Sequence, residues 1–471
     1  MNIGLLAPEL YQLLLILALF AASLFADKDK GDPLWLPGAA IAGVFVCAAS
    51  MGARGVLFYD AYQVDGLSQF FKLAVSIGYA VTVLNALNQP TLEKEKRTDY
   101  YMLLGMSAWG LMLLASSVEL ITLYLALELS SYSLYALIPL RKGDPRAAEA
   151  GVKYILFGAM VTAIALYGLS YVMASQHTTY IAALVGKPWS FTAAPMAVVG
   201  LTLFLGGFFY KLALFPFHFW APDVYQGASN ETASYVATVP KLGAVVVLVR
   251  LAALLTPGME ITNILALLGA VSMTFGNLAA LAQKDLKRLL GYSSVAHAGY
   301  VMLGLVSGTA AGLAAAVFYS LVYLLMNLTC FFVICKVSDG GENVQLNDLC
   351  GLYKRAPMLA MVLAVGAFAL VGLPPTAGFT GKLFLLTSVW EHGYNWLVIV
   401  AVLNTAISIY YYLSMVRHAY TKEENLDGPV IKISPVNAAL AGALAIAVLL
   451  LGVMPGSMYD LAKAAGQGLL P

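Results

Sequence analysis

The chain has 471 residues, of which 61% are apolar and 11% charged, and its formal net charge is +1. Soluble domains carry about 25% charged residues, and a nucleic-acid partner calls for a basic field that is missing here, so those classes are excluded together with disordered and disulfide-stapled secreted chains. Cys47, Cys330, Cys335 and Cys350 form no closely spaced pair and read as apolar filling rather than metal or cluster ligands.

A bilayer is spanned by roughly 20 apolar residues. Runs of that kind predict fourteen transmembrane helices, at 10–26, 34–52, 67–87, 99–117, 119–140, 151–174, 195–220, 231–255, 263–283, 293–308, 310–337, 357–388, 395–420 and 434–455. The runs are continuous rather than alternating, which excludes a β-barrel. No Lys or Arg precedes the first run, so it reads as a retained helix and not a cleaved signal. The expected fold is an all-α polytopic membrane protein. Residues 1–98 form a three-helix segment, 99–255 and 263–420 two five-helix units, and 421–471 the last helix and a tail. Five is odd, so two like units must have opposite topology, as inverted repeats do.

Basic residues orient the chain. With the N-terminus outside, the inner loops and helix ends collect Lys28, Lys30, Lys94, Lys96, Arg97, Arg141, Lys142, Arg146, Lys284, Lys287, Arg288, Lys336, Lys354, Arg355, Arg417, Lys422 and Lys432. The outer segments hold only Arg54, Lys187 and Lys463. That bias places both termini on the outer side.

Six basic residues remain inside predicted helices: Lys72, Lys153, Lys211, Lys241, Arg250 and Lys382. A charge at mid-membrane costs about 2.5–3.5 kcal/mol and commonly marks an ion or proton path. Lys72 and Arg250 lie near outer ends, where snorkelling accounts for them. Lys153, in the first predicted turn at an inner end, fits either snorkelling or function. Lys211, Lys241 and Lys382 are too deep for snorkelling. Glu128 is a deep acid in the fifth helix, and a Glu–Lys pair in a wet cavity is in principle a proton switch; a static ion pair joining two helices is the plainer reading. Glu119 is expected at the interface.

Pro216 follows Lys211, and Pro374 and Pro375 precede Lys382, so helices 7 and 12 should be broken. Non-helical backbone at that depth needs protein or a water-filled cavity beside it. The second unit has no acid in the place of Glu128; His297 is the candidate relay there, because His titrates near neutral pH. His218, just past Pro216, is expected to bind carbonyls freed by the break.

Three segments resemble one family. They are Pro216-Phe-His-Phe-Trp-Ala-Pro-Asp-Val-Tyr-Gln-Gly227, Gln283-Lys-Asp-Leu-Lys-Arg-Leu-Leu-Gly-Tyr-Ser-Ser-Val-Ala-His-Ala-Gly-Tyr300 and Leu373-Pro-Pro-Thr-Ala-Gly-Phe-Thr-Gly-Lys382. In this order they resemble the antiporter-like membrane subunits of respiratory complex I. The resemblance implies that Glu128, Lys211, Lys241 and Lys382 are the family's proton-transfer residues of helices 5, 7, 8 and 12, and that Lys153 is the sixth-helix lysine near the glutamate. A lysine at 382, and an end after span fourteen without a long lateral helix, narrow the choice among those subunits. Ala228-Ser-Asn-Glu-Thr-Ala233 departs from the family's proline-containing turn, so the start of helix 8 is open.

The implied function is outward proton transfer along Glu128, Lys153, Lys211, Lys241, His297 and Lys382, driven by quinone reduction elsewhere. No cofactor is expected in this chain, since it has no glycine-rich dinucleotide loop or cysteine cluster. The resemblance places FMN, iron–sulfur clusters and quinone in partner subunits, and makes the partners other complex I membrane subunits, including neighbouring antiporter-like ones, within a bacterial inner membrane. Alternatives are a subunit of a multi-subunit cation/proton antiporter or of a membrane-bound hydrogenase-type complex. The topology is directly testable: a phosphatase reporter active only outside should be active when fused at Lys187 and silent at Lys142. The reverse pattern overturns the orientation.

Overall fold

Long runs without charge leave the backbone only one way to satisfy itself in hydrocarbon, by hydrogen bonding within each segment. In the computed structural model, which describes residues 3–25, 31–255, 259–390, 392–421 and 430–467, helix therefore dominates. In chain order the helices are α1 (Ala7–Phe25), α2 (Leu36–Ala49), α3 (Gly66–Ala86), α4 (Arg97–Ser116), α5 (Leu120–Leu137), α6 (Pro145–Gln176), α7 (Ile181–Leu184), α8 (Pro195–Leu212), α9 (Trp220–Gly227) and α10 (Asn230–Leu251). They continue as α11 (Glu260–Leu281), α12 (Leu286–Val306), α13 (Ala310–Val337), α14 (Leu352–Arg355), α15 (Pro357–Val371), α16 (Ala377–Val389), α17 (Asn395–Tyr420), α18 (Pro435–Val453) and α19 (Gly456–Gln467). Among the described residues, 11 helical stretches are long and apolar enough to cross a membrane, and three further apolar helices are shorter. The chain is an all-α polytopic membrane protein. The orienting residues Lys28, Lys30 and Lys422 lie outside the described residues.

Several boundaries differ from expectation. A short antiparallel hairpin, β1 (Gly55–Leu57) with β2 (Tyr62–Val64), pairs Gly55 with Val64 between α2 and α3. The tail is not loose chain: α19 turns back so that the Tyr459 ring packs on Phe384 (4.2 Å) and Phe318 (6.0 Å). Asp144 caps α6 by accepting from Arg146 N at 3.0 Å, so the helix starts at Pro145 and Lys153 falls in its third turn, not its first. The start of helix 8, left open by the sequence, is set by Ser229, whose hydroxyl accepts from Thr232 N at 3.2 Å and starts α10 at Asn230.

Burial sorts the helices. α10, α12 and α13 are enclosed on nearly every side, whereas α1, α6, α17 and α18 present wide apolar faces outward. The centre of the bundle is therefore the place where a polar side chain cannot reach lipid headgroups or water along the helix surface.

Both expected breaks form, by the same local chemistry. α8 ends with Ala213 at φ +61°, and Leu214 N donates to Phe209 O at 2.8 Å. α15 ends with Gly372 at φ +88°, and Leu373 N donates to Phe368 O at 3.0 Å. Each is a left-handed C-terminal cap followed by proline, which cannot resume the helix. Gly372 also leaves room for the Lys382 chain, whose Cδ lies 3.0 Å from where a Cβ would sit.

Glycine contacts reveal a shared register between the halves. A Cβ on Gly110 would meet Ser130 N (2.7 Å) and Ala126 O (3.1 Å); one on Gly276 would meet Ala296 N (2.6 Å) and Tyr292 O (2.7 Å). The same displacement carries Glu119 onto Asp285. Each of these acids caps its helix, accepting from Thr122 N (2.8 Å) or Arg288 N (3.0 Å), and each bridges to the chain after the following helix, at Tyr180 or Gln345. Glu119 is thus a buried cap rather than an interfacial charge.

Lys72 and Arg250 do not snorkel. Lys72 is fully buried 2.6 Å from Glu9, to which Tyr62 also donates at 2.6 Å. Arg250 binds Asp65 through two bonds of 2.9 and 3.1 Å and donates to Ala115 O, tying α3, α4 and α10 together. Burial pushes the Asp65 carboxyl up, but the Arg250 charge and hydrogen bonds outweigh that and hold it below the usual carboxylate range. Its contribution is present at neutral pH and lost as acid protonates it. Asp65→Ala leaves Arg250 buried and unpaired, so thermal unfolding of the detergent-solubilised protein should show a loss of about 3 kcal/mol. An unchanged melting temperature would contradict this role.

Candidate proton-transfer site

Lys211, Lys241 and Lys382 are at most 4% exposed. Lys211, in the last turn of α8, donates to Tyr154 Oη at 3.0 Å, and its ammonium lies 5.4 Å from that ring's centre. Lys241 donates to Ser294 Oγ at 2.8 Å and to Leu212 O, at the broken end of α8, at 3.1 Å. Lys382 donates to Leu370 O (3.2 Å) and Val371 O (2.9 Å) at the broken end of α15, beneath the Tyr300 ring at 4.4 Å. Lysine thus caps both sets of freed carbonyls, where the negative end of the helix dipole favours a cation. Pro240 further removes an amide from α10 beside Lys241.

Glu128 and Lys211 line one cavity of about 10 Å³ with Tyr135, Gly158 and Thr162, room for about one water. They make no direct ion pair; Thr162 donates to Glu128 Oε1 at 2.8 Å. A second cavity of about 10 Å³ joins Lys241, Ser294, His297, Ser320 and Tyr323. His297 Nδ1 is 2.6 Å from Tyr319 Oη and Nε2 is 3.1 Å from Tyr412 Oη, and Tyr412 in turn contacts Ser293.

Some placements differ from the sequence reading. The glycine register sets Ser294, not His297, opposite Glu128, and puts His297 opposite Ser131; no acid stands there, as expected. As the order of lysine and proline in the chain requires, Lys211 precedes its break and Lys382 follows its own. Lys153 is away from Glu128's cavity: it is about one-third exposed, bonded to Asp223 (2.6 Å) and Glu149 (2.7 Å), and Asp223 also binds Arg288 at 2.6 Å. These groups line a separate cavity of about 150 Å³ between α6, α9 and α12. His218 interacts with the Pro216 backbone at the break, as expected. Its ring packs among Phe215, Phe219 and Phe275.

The buried Glu9 and Lys287 were missed. Lys287 looked like a loop cation, yet α12 begins at Leu286 and buries it with Nζ 2.7 Å from Ala228 O. The Asp-x-x-Arg cap before it was the available signal. Among the described residues, no group of three or more His, Cys, Asp or Glu is arranged for a metal, and the four cysteines are buried.

Residues 117–408, which hold Glu128, Lys153, Lys211, Lys241, His297 and Lys382, match the family model described as NADH:quinone oxidoreductase/Mrp antiporter, transmembrane. The chain belongs to that family. Within it, the chain is 67% identical over 469 residues to NADH-quinone oxidoreductase subunit N 2 of Solidesulfovibrio magneticus, covering 99% of both. It is 34% identical to a chain of respiratory complex I from Thermus thermophilus, with a TM-score of 0.84 over 97% of this chain and 99% of that one. A chain of the Mrp complex from Dietzia shares the fold, with a TM-score of 0.87 over 100% of this chain and 98% of that one, at 19% identity.

Asp223 holds two cations from different helices at a partly exposed junction. Asp223→Ala should loosen α9 and lower thermal stability by about 1 kcal/mol, with added salt narrowing the difference. Equal salt dependence in both proteins would show that the cluster does not fasten the junction.

Proposed function

We propose that the chain is a proton-translocating membrane-arm subunit of an NADH-quinone oxidoreductase. One observation carries this reading. Lys72 and Arg250, like the buried Arg97, are neutralised by carboxylates, whereas Lys211, Lys241 and Lys382 rest on carbonyl or hydroxyl oxygen with no carboxylate in ion-pair reach among the described residues. A paired charge is locked; an ammonium without a counter-ion in low dielectric gives up its proton readily.

Glu128, Lys153, Lys211, Lys241, His297 and Lys382 are the proposed transfer residues. Protons enter from the inner side near Lys153 and the Glu128–Lys211 cavity, pass to Lys241 and His297, and leave past Lys382. One water in each small cavity is enough to connect neighbours that do not touch. A charge moved in an adjacent subunit shifts the balance between Glu128 and Lys211, which are near but unbonded. That balance sets which of them holds the proton, and the change passes along the line. The shared glycine register, acid caps and helix terminations support two inverted units, 99–255 and 263–420, beside an N-terminal segment 1–98 and a C-terminal part 421–471. FMN, iron–sulfur clusters and quinone belong to partner subunits, neighbouring antiporter-like subunits flank this one, and both termini face outward from a bacterial inner membrane.

In reconstituted vesicles holding the assembled complex, Glu128→Gln, Lys241→Ala and His297→Ala should each lower coupled proton translocation with assembly intact. Unchanged proton-to-electron stoichiometry in all three would remove this pathway.

A further inference from the structure

Glu231 is a carboxylate only 5% exposed near the start of α10, where the family-like turn is replaced by Ser229-Asn-Glu-Thr232. Helical spacing places Glu231, Ser234, Thr238 and Lys241 on one face of α10, and each is at most 5% exposed. On α12 the same spacing aligns Lys287, Ser294 and His297. The two stripes meet at both ends. Lys287 donates to Ala228 O, three residues before Glu231, and Ser294 accepts from Lys241. Tyr225 Oη, from α9, lies 3.3 Å from Ser294 Oγ on the same seam. Thr238 Oγ1 donates to Ser234 O at 2.7 Å, which leaves its oxygen lone pairs free to accept.

No cation is within ion-pair distance of Glu231 among the described residues, yet positive groups surround it. Lys287 and Lys336 act on its carboxylate electrostatically, and Arg141 donates to Ala228 O at 3.1 Å. The Tyr100 hydroxyl accepts from Thr232 at 3.3 Å, and Asp285 caps α12 below. A buried carboxylate facing cations without a locked partner has the properties of a group that loads and releases protons. Ten residues of helix put it about 15 Å from Lys241 along the axis, with two hydroxyls between.

We propose that Glu231, opposite Lys287, is a proton-loading site that feeds Lys241 directly along the α10–α12 seam, a second inner uptake route independent of Glu128. A proton taken up on the Glu231 carboxylate passes to Lys241 through Ser234, Thr238 and intervening water. Each hydroxyl receives one proton as it releases another, and the carboxylate is left charged for the next.

This rests on Lys241 being a transfer residue, so Lys241→Ala is the reference. With the assembled complex in sealed vesicles, NADH-driven acidification is followed for Glu231→Gln, Glu231→Asp and Thr238→Val. Glu231→Gln should lower coupled turnover about a hundredfold, the lower edge of what a lost acid–base group costs. Thr238→Val, which keeps shape and leaves the charged groups untouched, should slow it as well, and Glu231→Asp should retain most of the rate with a displaced pH profile. Wild-type turnover in both Glu231→Gln and Thr238→Val beside a slowed Lys241→Ala overturns the route. Failed assembly of Glu231→Gln with normal Thr238→Val turnover also overturns it, since Glu231 is then a clamp. Normal turnover of Lys241→Ala refutes the proton line itself.

Discussion

Carbonyl groups freed in mid-bundle are the constraint on which this molecule turns. Ending α8 and α15 inside the protein leaves peptide oxygens that neither lipid nor bulk water can satisfy, and an unsatisfied group there costs several kcal/mol. The chain answers with lysine ammoniums: Lys241 on Leu212 O, Lys382 on Leu370 O and Val371 O. An ammonium held by carbonyl dipoles is solvated well enough to stay and weakly enough to lose its proton. The break and the buried base therefore need one another, and the enclosed α10, α12 and α13 give both a dry setting.

A second sorting follows from how buried cations are neutralised. Carboxylates lock Lys72 and Arg250, and these pairs tie α1 to α3 and α3 to α10. Lys211, Lys241 and Lys382 have no carboxylate in ion-pair reach among the described residues. The same residue type is thus locked by a carboxylate in one place and left on neutral oxygen in another, and hydroxyls of Tyr154, Ser294, Tyr319 and Tyr412 supply polar contacts to Lys211, Lys241 and His297.

The depth of Lys211, Lys241 and Lys382 and the sites of the helix breaks were legible in the sequence, because apolar run length measures position in a bilayer and proline stops a helix wherever it falls. Lys72, Arg250 and Lys287 were misread for a related reason. Near a helix end, run length cannot distinguish a side chain that reaches headgroups from one covered by another helix. Glu9 and Asp65, the partners that decide the matter, come from distant parts of the chain. That Ser294 stands at the position matching Glu128 was not legible in the sequence, because the backbone contacts of Gly110 and Gly276 set the register.

The sequence by itself determined the class of the protein, its family and which charges lie deep. These depend on composition, local periodicity and short motifs, which one strand of sequence carries in full. Tertiary structure alone decided which buried charges are paired, that Glu128 and Lys211 share a cavity without touching, that Lys153 belongs to the Asp223 cluster, and that Glu231 and Lys241 lie on one seam opposite α12. Those are distances of a few ångströms between helices, fixed by packing and not by spacing along the chain.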